Sequence, residues 1–333
     1  MNKVARIKEF TGPKGISLVE EEIPSPKAGE VLVKMKAAGL NRVENMISYG
    51  QFPFLPELPG KIGFEGAGII ERLGDNIEDF QIGDEVSITP NMAFNAYGVI
   101  ANYAVVPGKA LIKKPSSLSW IEAAALWMGY GTAYAGIVNA GGLKQGANQT
   151  VVISAASSSV GLPAIQIAKA HGAKVIATSR TLAKEAALKD VGADFVVATN
   201  DEQWTERVLE ATSGKGFDIA FDPITGPFTS QLAEVAGFGA TIVSYGTMSK
   251  SDTALPLFPM LFKALKLTGI DSGHHLLGNP AALDIAKDHI VRNLENSTYH
   301  LKIDSTFSLE QVVEAYQRME SGQQIGKIVI EIA

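Results

Sequence analysis

The chain has 333 residues, of which 46% are hydrophobic, and its 35 acidic and 29 basic residues give a formal charge of -6. That apolar content can bury a core of two-domain size and excludes disorder as the default state, while scattered cations and a net negative charge exclude nucleic acid as the expected partner. The absence of cysteine excludes disulfides, thiolate catalysis and any sulfur-liganded zinc site.

Taken in chain order, the opening MNKVARIKEF runs straight into strand-like sequence, without the apolar core and small-residue cleavage site of a secretory signal. No later run approaches the roughly 18–20 apolar residues needed to cross a bilayer. The chain therefore reads as soluble, cytoplasmic and without a membrane partner. Residues 1–122 are rich in Gly, Pro and short β-branched runs such as EVLVKM, GAGIIERLG and DEVSI, the pattern of a β-rich barrel or sandwich. The texture then changes at WIEAAALWMGYGTAYAGIV, whose apolar residues recur at helical spacing. Over 123–271, strands at TVVISAA, KVIATSR, DFVVAT, FDIAFDPI, GATIVSYG and LKLTGID alternate with helices at 160–171, 182–191, 203–212, 228–236 and 259–265. Six strands with helical crossovers predict an α/β, doubly wound parallel sheet. Beyond 271, a helix at 280–292, the helical LEQVVEAYQRMESG and the strand GKIVIEI are expected to return to the first domain, as 272–333, and complete its sheet.

The segment TVVISAASSSVGLPAIQIAKAHGAKVIATSR is a strand, a small-residue turn, a helix and a second strand. A dinucleotide diphosphate needs close approach to the unpaired N–H groups of such a helix N-terminus. The three glycine places of G-x-G-x-x-G are held by Ala156, Ser158 and Gly161, so the motif is carried by context more than by glycine count. A serine-rich helix cap without a ligand is the competing reading. At the end of the second strand an NAD enzyme places an acid, whereas this chain has Ser179, Arg180, Thr181 and Lys184, with no acid before Glu185. Positive charge at that point favours the 2′-phosphate of NADPH; the alternative is that both cations are ordinary solvated residues.

This order of domains, with AAGLNRVENMISYGQFP, PGKIGFEGAGIIERLG, QIGDEV, SLSWIEAAALWMGYGTAY, AASSSVGLPAIQIAKAHGAKVIAT and SGQQIGKIVI, resembles the zinc-independent, quinone oxidoreductase branch of the medium-chain dehydrogenase/reductase superfamily, of which zeta-crystallin is one type. The resemblance covers nearly the whole chain. It implies a GroES-like barrel beside a Rossmann domain, NADPH as cofactor, and hydride transfer to a quinone or other α,β-unsaturated carbonyl compound. Zinc-dependent relatives carry Cys at the place of Asn41 and His at that of Phe64, so Glu65 is left without partner ligands and is read as structural.

Carried over from the family, Asn41 lies beside the nicotinamide and the substrate, and Tyr130, also a candidate catalytic residue, and Thr132 pack towards the cofactor. Ser158, Ser159 and Val160 hold the diphosphate, Lys184 meets the 2′-phosphate with Ser179 and Arg180 beside it, and Tyr245 and Gly246 follow the fifth strand at the nicotinamide. Lys327 is a further cofactor contact. Tyr130 and Thr132 could equally be core residues of their helix. Two departures are visible: serine replaces the family's usual glycine at 158 and 159, and Thr199 stands where a tyrosine often packs by the adenosine. Asn41 is expected to polarise the acceptor, Tyr49 and Phe52 to line the cleft, and Tyr49 to be a possible proton donor, although a phenol is a weak acid at neutral pH. His274 and His275 are read as a solvent-facing loop. Reduction of enoyl thioesters or alkenals, and non-catalytic NADPH binding, remain open alternatives, and the family implies a homodimer.

Overall fold

Val31, Leu32, Val33 and Met35 are buried along Glu30–Gly39, and the strand built there is the hub of the first unit. It pairs antiparallel with Gly66–Leu73, with Tyr103–Pro107 and with the C-terminal strand Lys327–Glu331. The C-terminal strand thus completes the sheet, as expected. A strand that sequence reading overlooked, Ile303–Ser308, pairs parallel to it at the edge. The computed structural model describes residues 1–271 and 273–333. It divides into two compact units, Met1–Met128 with Leu301–Ala333, and Gly129–His300. The first is the GroES-like β-rich unit, with a core that joins Ile7, Val33, Met35 and Phe64 to Leu309, Tyr316 and Ile330.

The second unit carries six parallel strands in the order Phe195–Ala198, Lys174–Ser179, Thr150–Ile153, Phe217–Asp222, Ala236–Ser244 and Lys266–Gly269. This is the doubly wound Rossmann order, and its direction reverses between Thr150–Ile153 and Phe217–Asp222. Ligands of such sheets bind beyond the carboxyl ends of the strands at that reversal. The helix after the first strand, Gly161–Ala170, is buried over residues 161 to 168. The apolar run at 120–138 is not one helix: Ser119 and Glu122 close a capping box on the short helix Trp120–Ala123, and a new helix starts at Trp127.

The second unit extends to His300, later than the 271 expected from sequence, because the helix Pro280–Glu295 packs within it. Ala286 and Ile290 of this helix are fully buried, and the His289 Nε2 meets the Tyr299 hydroxyl at 2.7 Å. The His289 ring lies 5.0 Å from His171 and 5.4 Å from Tyr134, and Tyr299 packs 5.4 Å from Tyr130. An amphipathic helix shows which face it buries but not which core receives it, so the early return to the first domain could not be corrected from periodicity.

Burial, with His171 and Arg292 nearby, pushes His289 down to about 4. The folded protein therefore resists protonation that the unfolded chain, with an ordinary histidine, accepts near 6.5. This contribution to stability is present at neutral pH and is lost progressively as pH falls from 6.5 towards 4. The melting temperature should drop between about pH 7.5 and about pH 5, and a His289→Gln variant should show a smaller drop in the same calorimetric comparison.

Candidate functional site

In the β-rich unit, the chain leaves Glu30–Gly39 and enters the helix Arg42–Ser48 through Asn41. The spacing Asn41-x-x-Glu44 is the capping pattern, and Glu44 Oε2 reaches back to accept the Asn41 backbone N–H at 2.9 Å. Glu44 is fully buried and accepts three further hydrogen bonds, from the Phe64 N–H, the Tyr316 hydroxyl and Asn41 Nδ2, at 3.0, 2.8 and 3.2 Å. Burial pushes its carboxyl up, and the bonds it accepts oppose that. Asn41 Nδ2 also donates to Gly39 O at 3.2 Å, and its Oδ1 accepts from the Lys327 ammonium at 2.7 Å. Lys327 donates to Glu65 Oε2 at 2.5 Å, while Glu65 Oε1 accepts the Met128 N–H at 2.7 Å.

This network gives partners to three residues singled out from the sequence. Asn41 is only 4% exposed and its amide bonds to Gly39, Glu44 and Lys327. Lys327, expected as a cofactor contact, is 3% exposed and bonded to Asn41 and Glu65. Tyr49 is exposed but donates to Glu320 at 2.8 Å; that bond, then burial, raises its pKa and makes it a still poorer acid. Glu65 has the structural role expected of it. Its pairing with an ammonium, with Phe64 beside it carrying no donor atom, does not suit a tetrahedral metal. No cluster of three or more His, Asp or Glu able to hold a metal occurs among the described residues. Phe64 instead stacks on Phe94 at 4.1 Å, and Phe94, Phe52 and Phe54 continue as an aromatic series at 6.2 and 6.1 Å out to exposed Phe54.

In the Rossmann unit, the carboxyl edge of the sheet gathers a second group. Ser154 follows the first strand, Thr178 lies near the end of the second, and Tyr245 follows the fifth. Their hydroxyls are buried; that of Ser154 faces the Asp222 carboxylate and that of Tyr245 faces Ser158, while that of Thr178 has no partner among the described residues. Asp222, at the end of the fourth strand, is buried and caps the following turn through the N–H groups of Ile224 and Thr225. The turn ahead of the helix bends at Ala155, where φ is 47°. Ser158 Oγ accepts the Gly161 N–H at 3.0 Å, so this serine does cap the helix. A side chain on Gly161 would meet the Ala156 backbone at 2.5 Å, which explains why glycine is kept at that one position. Ser159 and Val160 are partly exposed in the same turn. The Lys184 ammonium donates to Ser157 Oγ at 3.2 Å, joining the cation after the second strand to the turn.

The small turn and the helix N-terminus suit a dinucleotide. Ser179 is partly buried and Arg180 exposed; Thr199 turns its hydroxyl onto Ser179 O at 3.3 Å. Gly246 abuts Pro223, where a Cβ would lie 3.1 Å from the carbonyl oxygen. Thr132 is partly buried. Tyr130 is fully buried, its hydroxyl 3.5 Å from His300 O, and burial holds that hydroxyl far above the usual phenol range. Its ring is buried within this unit, and its hydroxyl is a poorer acid than an ordinary phenol. His275 bonds within its own turn, Nδ1 lying 3.0 Å from Asp271 O, and the His274 side chain lies outside the described residues.

Comparisons with known proteins agree with this geometry. A family described as zinc-binding dehydrogenase matches residues 159–287, and the alcohol dehydrogenase GroES-like domain matches residues 27–116. A probable quinone oxidoreductase of Schizosaccharomyces pombe is 32% identical over 330 residues, spanning 96% of this chain and 94% of that one. The chain belongs to the quinone oxidoreductase-like branch of the medium-chain dehydrogenase/reductases. Human quinone oxidoreductase is 30% identical over 246 residues, covering 74% of this chain and 73% of its own. The quinone oxidoreductase structure from Pseudomonas syringae pv. tomato DC3000 superposes with a TM-score of 0.90 at 27% identity, over 99% of this chain and all of that one. Membership of this quinone oxidoreductase-like branch identifies the protein as an oxidoreductase.

Of the unforeseen residues, Glu44 was readable from the N-x-x-E spacing, whereas Tyr316, 272 positions away, gave no sequence signal. Gly39 was also missed. A Cβ there would collide with Ala124 O and approach Lys327 Cε to 2.7 Å. Gly39→Ala should therefore destabilise the protein by about 1–3 kcal/mol, measured as a lower urea midpoint with an unchanged slope.

Proposed function

We propose that this protein reduces quinones and other α,β-unsaturated carbonyl compounds with NADPH and without a catalytic metal. The observation that carries the reading is the 3.2 Å bond from Lys184 to Ser157, which brings a cation to the phosphate-binding turn. No acid stands between Ser179 and Lys184 to accept from a ribose hydroxyl. Bound there, the nicotinamide cofactor supplies the hydride. The chain's own residues bind and orient: the N-terminus of Gly161–Ala170 receives the diphosphate, and Lys184 with Arg180 receives the 2′-phosphate. The Phe52, Phe54 and Phe94 rings offer an apolar wall to a flat acceptor. Water supplies the proton, because the phenols of Tyr49 and Tyr130 are both poorer acids than usual. The lack of cysteine and the apolar Phe64 support a metal-free reaction.

The reading is tested by NADPH oxidation after chelator treatment, with a 1,4-quinone, a simple enone and an enoyl thioester as acceptors. Chelator-resistant turnover with the first two supports it. Turnover confined to the thioester favours an enoyl reductase, and tight NADPH binding without any turnover favours a binding protein. Lys184→Ala should weaken NADPH binding by about 10- to 100-fold, the worth of a charged hydrogen bond, and leave NADH binding nearly unchanged in the same fluorescence titration.

We also propose that two copies associate through the edge strand Lys266–Gly269, which has a partner on one side only among the described residues. The helix before it, Leu257–Phe262, leaves Phe258 and Leu261 75% and 76% exposed, and Phe238 nearby is 83% exposed. An open strand edge beside a bare apolar helix is a surface that a second copy would cover. A Phe258→Glu/Leu261→Glu variant should sediment as a monomer where the parent sediments as a dimer, with NADPH affinity retained.

A further inference from the structure

In the β-rich unit the short strand Gly60–Lys61 lies at the edge of a three-stranded sheet, and its register sets Lys61 directly opposite Arg6 of the neighbouring strand Asn2–Ile7. Like charges so placed repel. One of the two is neutralised: Arg6 Nε and Nη2 donate to the two oxygens of Glu21 at 2.8 and 2.7 Å, and Nη1 donates to Pro59 O at 3.3 Å. A guanidinium carries five N–H donors, so two of them remain unused. Lys61 is served less well. Arg6 takes both oxygens of Glu21, and Glu30, the other carboxylate whose field reaches Lys61, accepts the Tyr97 hydroxyl and the Lys27 N–H, each at 2.9 Å. Among the described residues nothing hydrogen-bonds or ion-pairs with the Lys61 ammonium. The side chain is partly buried nonetheless, and burial, then Arg6, holds its pKa below the ordinary lysine value against the pull of Glu21 and Glu30. An ammonium drawn partly out of water without an acceptor is a state that a bound anion relieves.

Lys61 and Arg6 line a cavity of about 380 Å³, a size that suits a small molecule. Asn95 adds an exposed amide, Leu55 and Pro59 add apolar surface, and Glu57 adds a solvent-exposed carboxylate. One unpaired ammonium calls for an acceptor of one negative charge. A dianion such as inorganic phosphate would press its second charge towards Glu21 and Glu57 and leave the apolar wall bare. We propose that this cavity binds a small organic monocarboxylate, whose carboxylate accepts hydrogen bonds from Lys61, Arg6 and Asn95 while its carbon body lies on Leu55 and Pro59. The site shares no residue with the network around Asn41 or with the cofactor-binding turn, so it stands independently of the reductase reading.

The test is a footprint on the full-length protein, with sodium benzoate as the probe and benzamide as its uncharged counterpart. Lysines are acetylated with a small amount of acetic anhydride, which attacks only neutral amines, and the extent at Lys61 and at exposed Lys14 is followed by mass spectrometry. Benzoate should slow acetylation of Lys61 saturably, by about tenfold or more, the effect of raising an amine pKa by about one unit. Lys14 should be unaffected, and benzamide should protect neither. In calorimetric titration the benzoate site should weaken by about tenfold or more in Lys61→Met, as expected for loss of a charged hydrogen bond, and persist in Lys61→Arg. Circular dichroism checks that both variants fold, and the footprint needs no variant. Absence of protection at Lys61, equal protection by benzamide, or unchanged benzoate affinity in a folded Lys61→Met overturns the proposal. Protection by inorganic phosphate but not by benzoate also overturns it, since the cations would then serve a dianion.

Discussion

The β-rich unit is organised around a buried ammonium. Lys327 arrives on the last strand, Asn41 on the connection after the central strand, and Glu65 just before the strand that pairs with it, so three separate segments are fixed by one charge. Such a pair is not retained for stability alone, since well-packed apolar residues of equal volume are often as stable. Losing one partner, however, leaves the other charge buried without compensation. The surroundings are built to that requirement: Gly39 is bare of a side chain where Lys327 passes, and Phe64 and Met128 contribute backbone N–H groups to the two carboxylates.

The Rossmann unit solves a different problem. Its parallel strands point their carboxyl ends towards one edge, where the buried hydroxyls of Ser154, Thr178 and Tyr245 gather beside Asp222. The same edge carries the helix N-terminus and the Lys184–Ser157 bond. A polar, cationic rim on an apolar sheet matches a dianionic, phosphate-bearing cofactor far better than an apolar ligand.

The serine-rich turn shows how a local motif and its competing explanation can both hold. Ser158 caps the helix, as a ligand-free serine cap would, and Ser157 beside it meets Lys184. At one of the places where the family pattern has glycine, the Ser158 hydroxyl takes up the Gly161 N–H instead. Asn41 is the opposite case. Its identity was legible, but its bonds to Glu44, Gly39 and Lys327 were not.

What the sequence by itself determined was the periodic part: six strands and their crossover helices, the small-residue turn, the cations after the second strand and the completion of the first sheet by GKIVIEI. Those follow from hydrophobic spacing and backbone sterics, which act over a few residues. Only the tertiary structure decided that the helix Pro280–Glu295 joins the Rossmann core, that Ile303–Ser308 forms an edge strand, that Tyr130 is buried, and that Lys327 belongs to Asn41 and Glu65. Each of these depends on partners brought together from distant segments, 262 and 286 residues apart for the two bonds of Lys327. A charge gives no sign in its own neighbourhood of which distant group will neutralise it, so the pairing becomes visible only when the chain is folded.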